Sequence, residues 1–212
     1  MMDIERKIAF MGHWDNRFRS ENYVYGKSPN TFIEEFHQRL NLSGDALAIA
    51  EGEGRNAVYL AEKGMNVTTW DFAQSGLDKT NKLAQERGVS IQTELVDLNE
   101  AKWSTDSWDE VICVFGHFPT KLLTKTLQQI KKAVKPGGYF ITEVYSHYQV
   151  PYKSGGPPNV EMLYKPEEFL TTFADWRIQH FFIGEVTRHE GELHNGLAHV
   201  IQFAGQRPLT TI

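Results

Sequence analysis

Two glycines, two aspartates and two histidines are the residues of this chain whose types and spacing could do chemistry together. The glycines stand as Gly52-x-Gly54, directly after the apolar run Ala46 to Ala50. Glycine there lets a ligand approach the backbone and permits the positive φ of a tight turn. A helix-compatible segment begins at Arg55, so the unpaired N–H groups of a helix N-terminus face the same space. Asp71 ends a second apolar run 17 residues after Gly54, and Asp97 ends a third in Val96-Asp97-Leu98. A carboxylate at the first position can accept from paired sugar hydroxyls, and one at the second from a base amino group. Each such bond to a charged group is worth about 1.5–3 kcal/mol. His117, in Phe115-Gly116-His117, and His194, in Arg188-His-Glu-Gly-Glu-Leu-His194, can exchange protons near neutral pH.

These residues must be positioned by alternating elements. The predicted order is strand Ala46–Ala50, helix Arg55–Lys63, strand Asn66–Asp71, helix Ser75–Arg87, strand Ser90–Val96, strand Trp108–Phe115, helix Lys121–Val134 and strand Tyr139–Tyr145. Helix Ser75–Arg87 carries one apolar stripe through Leu77, Thr80, Leu83 and Ala84. Gly64, Gly88 and the pair Gly137-Gly138 fall where helices end. A short helix, Pro166–Phe173, precedes two long runs, Trp176–Arg188 and Leu197–Gln206, joined by a turn at His189 to Gly196. The expected fold is α/β: a doubly wound, mostly parallel sheet of seven strands with a C-terminal antiparallel hairpin. Nothing divides the chain, so residues 1–212 read as one domain. Residues 1–40 read as a helical, aromatic cover, and 146–165, with Gly155-Gly156-Pro157-Pro158, as a lid-like insertion.

Two ligands suit such a turn: a dinucleotide, or a nucleoside carrying a sulfonium. The dinucleotide pattern wants Gly-x-Gly-x-x-Gly, and Ala57 holds the third place, which that pattern tolerates. Glu51 and Glu53 discriminate better, because two carboxylates repel a pyrophosphate and favour a cationic sulfonium or ammonium group. With Asp71, Asp97-Leu98, Trp108-Asp109 and Lys135-Pro136-Gly137-Gly138 in order, the chain resembles the class I S-adenosylmethionine-dependent methyltransferases over nearly its whole length. Trp14-Asp15-x-Arg17, Tyr25-Gly26-x-x-Pro29-Asn30 and Glu51-Gly-Glu-Gly-Arg-Asn-Ala57 make it similar to the bacterial tellurite-resistance and thiopurine methyltransferase group. That resemblance implies a Rossmann-like sheet, S-adenosylmethionine as cofactor and S-adenosylhomocysteine as product. The family's turn has an acid two places before a first glycine, where this chain has Ala48 and Ala50. Orienting the cofactor's ammonium then falls to Glu51, Glu53 or the N-terminal segment.

The candidate cofactor contacts are Trp14, Arg17, Tyr25, Ala50, Glu51, Gly52, Gly54, Asn56, Asp71, Phe72, Asp97, Leu98 and Phe115. Arg17 suits pairing with a carboxylate. The candidate catalytic residues are His117, on a loop at the carboxyl end of a parallel strand, with Arg188 and His194 facing substrate. His189 and His194 stand five apart with a glycine between, unlike the four-residue helical spacing of a zinc protease, and no metal site is predicted. On one strand, residues five apart would face opposite sides.

Methyl transfer from a sulfonium needs alignment more than activation: orientation supplies roughly 7–11 kcal/mol, against about 10²–10⁴-fold from a general base. A soft S, Se or Te acceptor is therefore expected ahead of an O or N acceptor. The net charge of -5 argues against a nucleic-acid surface, and the partner expected is a small-molecule methyl acceptor. No run reaches the roughly 18 apolar residues of a membrane span. The single Cys113 forms no internal disulfide, so a cytoplasmic protein is expected, as monomer or homodimer. A non-catalytic cofactor-binding protein and a nucleotide-dependent Rossmann oxidoreductase are the alternatives.

Overall fold

Both faces of the first apolar run are buried, and the rest of the architecture follows from that. In the computed structural model, which describes residues 12–209, β1 (Asp45–Ile49) points Leu47 and Ile49 into one apolar cluster and Ala46 and Ala48 into another. Strand periodicity of two makes this the signature of a strand covered on both sides. β2 (Asn66–Asp71) and β4 (Trp108–Ile112) pair with it in parallel, and β3 (Gln92–Leu95) and β5 (Val134–Tyr145) extend the parallel sheet outward from β2 and β4. β6 (Arg177–Glu190) and β7 (His194–Gln206) close the sheet antiparallel, in the order β3-β2-β1-β4-β5-β7-β6. Helix α1 (Thr31–Leu40) and α2 (Arg55–Glu62) cover one face through Ile33, Phe36 and Leu60. α3 (Gln74–Arg87) packs beside α2 through Leu83 and Ala84. α4 (Thr120–Ala133) and α5 (Pro166–Thr172) cover the other face through Leu127, Ile130 and Phe169. The seven-stranded doubly wound sheet with its C-terminal hairpin is thus the one expected.

Three local expectations change. Gly137 and Gly138 do not end a helix but lie inside β5, where its register against β4 shifts between Trp108 and Glu110. A Cβ on Gly138 would come within 2.8 Å of the Asp109 carbonyl oxygen, so the irregular stretch requires glycine there. β4 stops at Ile112 rather than running to Phe115, which takes a positive φ of 51°. The hairpin turn is shorter than expected, because Glu190 pairs directly with His194. His189 and His194 therefore lie on two strands, not one.

Residues 12–18 are helical, and Phe18 packs its ring against Gly52. The expected cover includes residues 1–11, which lie outside the described residues. The 146–165 insertion holds two single-turn 3₁₀ helices, Val150–Tyr152 and Val160–Met162. No helix among the described residues is long and apolar enough to cross a membrane.

Candidate active site

The carboxyl ends of β1, β2 and β4 open into a cavity of about 510 Å³. The turn after β1 builds its floor. Ala50, Gly52 and Gly54 all have positive φ (50°, 65° and 85°), a path only glycine takes without strain. Asp71, at the tip of β2, holds this turn: its Oδ2 accepts from Gly52 N at 2.8 Å and its Oδ1 from Ala73 N at 2.8 Å. Burial pushes the Asp71 carboxyl up to about 6, against the backbone donors that favour its ionised form.

Glu51 folds back onto α2. It accepts from Asn56 N at 2.7 Å and from Ala57 N at 3.0 Å, so the helix N-terminus is capped from within the turn. Burial raises the Glu51 carboxyl, opposed by those hydrogen bonds. Glu53 points to the other side, pairing with Lys79 at 2.7 Å and accepting from the backbone of Val24 and Tyr25. Both acids serve the local structure, and neither is left as a dedicated partner for a cationic ligand. Of the amides expected to face a ligand, those of Asn56 and Ala57 are thereby occupied.

Aromatic residues form the walls. Phe115 stacks on Tyr145 with ring centroids 4.5 Å apart, and His194 stands edge-on to Phe115 at 4.3 Å. Tyr25 meets His194 at 4.5 Å, and Arg17 donates to the Tyr25 hydroxyl at 3.0 Å while its guanidinium lies 4.5 Å from the Trp14 ring. His117 stacks on Tyr145 and donates from Nδ1 to the Met162 carbonyl at 2.9 Å. Burial pushes His117 down to about 4. It is therefore neutral at physiological pH with the proton on Nδ1, and its buried Nε2 has no hydrogen-bond partner among the described residues. Burial, helped by the charge of Arg55, also holds His194 well below the usual histidine range. The Tyr145 hydroxyl and Arg55 Nη1 are buried and unpartnered in the same sense.

Of the residues expected at the site, Trp14, Arg17, Tyr25, Ala50, Glu51, Gly52, Asn56, Asp71, Phe72, Phe115, His117 and His194 line the cavity. Four do not. Gly54 stands one residue further on, as the N-cap of α2. Leu98 is buried in the apolar core beside Trp70. Asp97 lies at the end of β3, next to β2, and its Oδ1 accepts from the backbone and side chain of Asn99 at 2.9 Å. Arg188 turns away from the cavity into a bidentate pair with Glu143, because a buried carboxylate on β5 demands a cation. Among the described residues no His, Cys, Asp and Glu cluster could hold a metal ion.

Local sequence did not point to Phe18 or Met162 as part of the lining, and it marked the Gly155 to Asn159 loop only as part of a lid-like insertion. Nor did it reveal the buried polar layer beneath. There, Asn30 Nδ2 donates to Glu143 at 2.9 Å and to Glu190 at 3.1 Å, while Arg55 pairs with Glu190 at 2.7 Å. These residues are up to 160 positions apart, so only a Glu within an otherwise apolar strand could have signalled them.

The fold is shared with proteins of known structure. Residues 46–138 match the methyltransferase domain family. The chain is 26% identical over 146 residues to the probable S-adenosyl-L-methionine-dependent methyltransferase TehB of Haemophilus influenzae, covering 68% of this chain and 48% of that protein. This chain thus spans about half the length of the TehB relatives it matches. A 2-heptyl-1-hydroxyquinolin-4(1H)-one methyltransferase of Mycobacteroides abscessus is 26% identical over 132 residues, 61% of this chain and 58% of that one. Among solved structures, TehB from Haemophilus influenzae superposes with a TM-score of 0.69 at 15% identity, covering 93% of this chain and 66% of that one. The aromatic cavity over a glycine turn is therefore carried by a fold shared with methyltransferases of known structure, and residues 46–138 of the chain are similar to the methyltransferase domain family.

Proposed function

We propose that this protein transfers a methyl group from S-adenosylmethionine to a small-molecule acceptor. The observation that carries the reading is the internal cap on α2. In a pyrophosphate site the first amides of that helix take the phosphates; here Glu51 occupies those of Asn56 and Ala57 and adds a buried carboxyl beside them. A dinucleotide is disfavoured, whereas a nucleoside without phosphates fits. The residues present suit such a cofactor: Asp71 retains lone pairs for sugar hydroxyls, aromatic rings flank the cavity, and Arg17 offers a cation for a carboxylate. When bound, the cofactor supplies a methyl group on a positively charged sulfur.

The residues of this chain align the acceptor and keep water out. The acceptor faces His117, whose neutral Nε2 can receive a proton as the new bond forms. Its low basicity limits that help, since general-base efficiency follows basicity. Alignment between Phe115, Tyr145 and His194 carries more of the rate. This balance supports a soft acceptor, a thiol or its selenium or tellurium counterpart, ahead of an alcohol or amine.

Calorimetry with S-adenosylhomocysteine tests the reading. Micromolar binding by the wild-type protein is expected, with at least a tenfold loss in Asp71→Ala, about 1.4 kcal/mol or more. Micromolar binding of NADH or NADPH, with none of S-adenosylhomocysteine, would overturn it.

A further inference from the structure

Arg55 is 5% exposed, lines the cavity and is only half used. Its Nη2 pairs with Glu190 at 2.7 Å, whereas Nη1 is buried with no partner among the described residues. A guanidinium presents a fixed fork of donors, and a buried donor is seldom left unpaired without a reason. Two further unpartnered polar atoms belong to the same wall: the Tyr145 hydroxyl and His194 Nδ1. The His194 and Tyr145 rings are in edge contact at 5.5 Å, and the charge of Arg55 acts on both. Glu190 is itself held by Asn30 Nδ2 and by the backbone of Thr31, so Arg55 cannot swing away without breaking a buried cluster.

We infer that Arg55 Nη1, the Tyr145 hydroxyl and His194 form an anion subsite, which selects a flat aromatic acceptor carrying a carboxylate or similar oxyanion apart from the atom that is methylated. The inference rests on the methyltransferase reading and adds the class of acceptor to it. Among the described residues Arg17 is the other arginine of the lining; its charge also reaches His194, but its guanidinium is spent on the Tyr25 hydroxyl, to which it donates at 3.0 Å. Arg17 rises from the 12–18 helix that Phe18 seats on Gly52, whereas Arg55 is anchored to β6 by Glu190. The surrounding rings of Phe115, Tyr25 and Tyr145 suit a planar body.

The test titrates the protein, loaded with S-adenosylhomocysteine, with thiophenol and with 2-, 3- and 4-mercaptobenzoate. At least one carboxylate isomer should bind tenfold or more tightly than thiophenol. Arg55→Lys keeps a charge for Glu190 but loses the second nitrogen, so it should abolish this preference while leaving S-adenosylhomocysteine affinity within twofold. Tyr145→Phe removes a hydroxyl that has no hydrogen-bond partner among the described residues, and should reduce the preference at least threefold. Should Arg55→Lys fail to melt cooperatively, Tyr145→Phe decides alone. Equal binding of all four thiols would overturn the inference. So would loss of S-adenosylhomocysteine binding in Arg55→Lys with the preference retained, which would assign Arg55 to the cofactor. If the wild type binds no S-adenosylhomocysteine, the methyltransferase reading fails. The subsite then stands or falls on whether the unloaded protein prefers mercaptobenzoate.

Discussion

His117 and Asp71 are two titrating groups whose environments move them in opposite directions, and the pH behaviour of the protein follows. His117 is pushed down to about 4 by burial, so the form able to take a proton is present throughout the range above that value. Methyl transfer to a thiol should show no limb near pH 6.5 from a histidine. His117→Asn should lower kcat by less than about 10²-fold, below the span of an efficient general base, while leaving S-adenosylhomocysteine affinity unchanged, measured by initial rates and calorimetry. Asp71 is raised to about 6 in the folded protein, above the unfolded value near 3.8. Its ionisation therefore opposes folding, by on the order of 3 kcal/mol at neutral pH. That cost is relieved as pH falls from above 6 toward 4, the reverse of a salt-bridged aspartate. The carboxylate is also the form that accepts from sugar hydroxyls. The dissociation constant for S-adenosylhomocysteine should be flat above pH 7 and rise toward tenfold per unit below 6. A constant affinity from pH 7.5 to 5 would remove Asp71 from the ribose. Its chain position was enough to suggest that role, because strand, glycine turn and acid are close in sequence. The partners that set its charge were not.

At the scale of elements, the β1–turn–α2 unit concentrates both the ligand surface and the strain. Ala50 takes a left-handed φ of 50°, a conformation in which glycine is unstrained. The Cβ penalty there is about 1 kcal/mol or somewhat more, partly offset by the larger unfolded-state entropy of glycine. Ala50→Gly should therefore raise stability by about 0.5–1 kcal/mol and the melting temperature by about 1–4 °C, read by calorimetric melting. An unchanged or lower melting temperature would mean that the Ala50 methyl packs well enough to balance the strain. Element positions were legible to within a few residues wherever apolar periodicity or a glycine marked them: β2 spans Asn66–Asp71 as expected, and α3 buries Leu77, Thr80, Leu83 and Ala84. The Gly137-Gly138 pair misled because glycine marks a helix end and a strand irregularity alike.

For the whole molecule, three distant segments meet around one cavity. The Tyr23–Tyr25 loop reaches the β6–β7 turn, where Glu192 N donates to the Val24 carbonyl at 3.0 Å. Gly191 makes this approach possible: a Cβ on it would come within 2.5 Å of the Tyr25 carbonyl carbon, and its φ is 69°. Gly155 and Gly156 lie equally close to the Tyr145 ring, which brings the 146–165 insertion over the same space. Gly191→Val should cost about 2–4 kcal/mol through clash and backbone strain, lower the melting temperature and speed proteolysis between residues 19 and 26. S-adenosylhomocysteine should slow that cleavage in the wild type. Cleavage unchanged in both cases would separate the cover from the cavity.

The order of apolar runs, glycines and acids was enough by itself to determine the class of fold and to mark the turn that floors the cavity, because those features are local: a buried strand, a turn with positive φ and a carboxylate on the next strand are neighbours along the chain. Only the tertiary structure decided which remote polar side chains reach the cavity and which are spent elsewhere. Arg188 was drawn into Glu143 and Arg55 into Glu190 by buried carboxylates on remote strands, and Tyr145 meets the His194 ring edge-on across the same sheet. A buried ionisable group takes whichever partner the folded sheet brings beside it, and that neighbour is set by strand order and register rather than by distance along the chain.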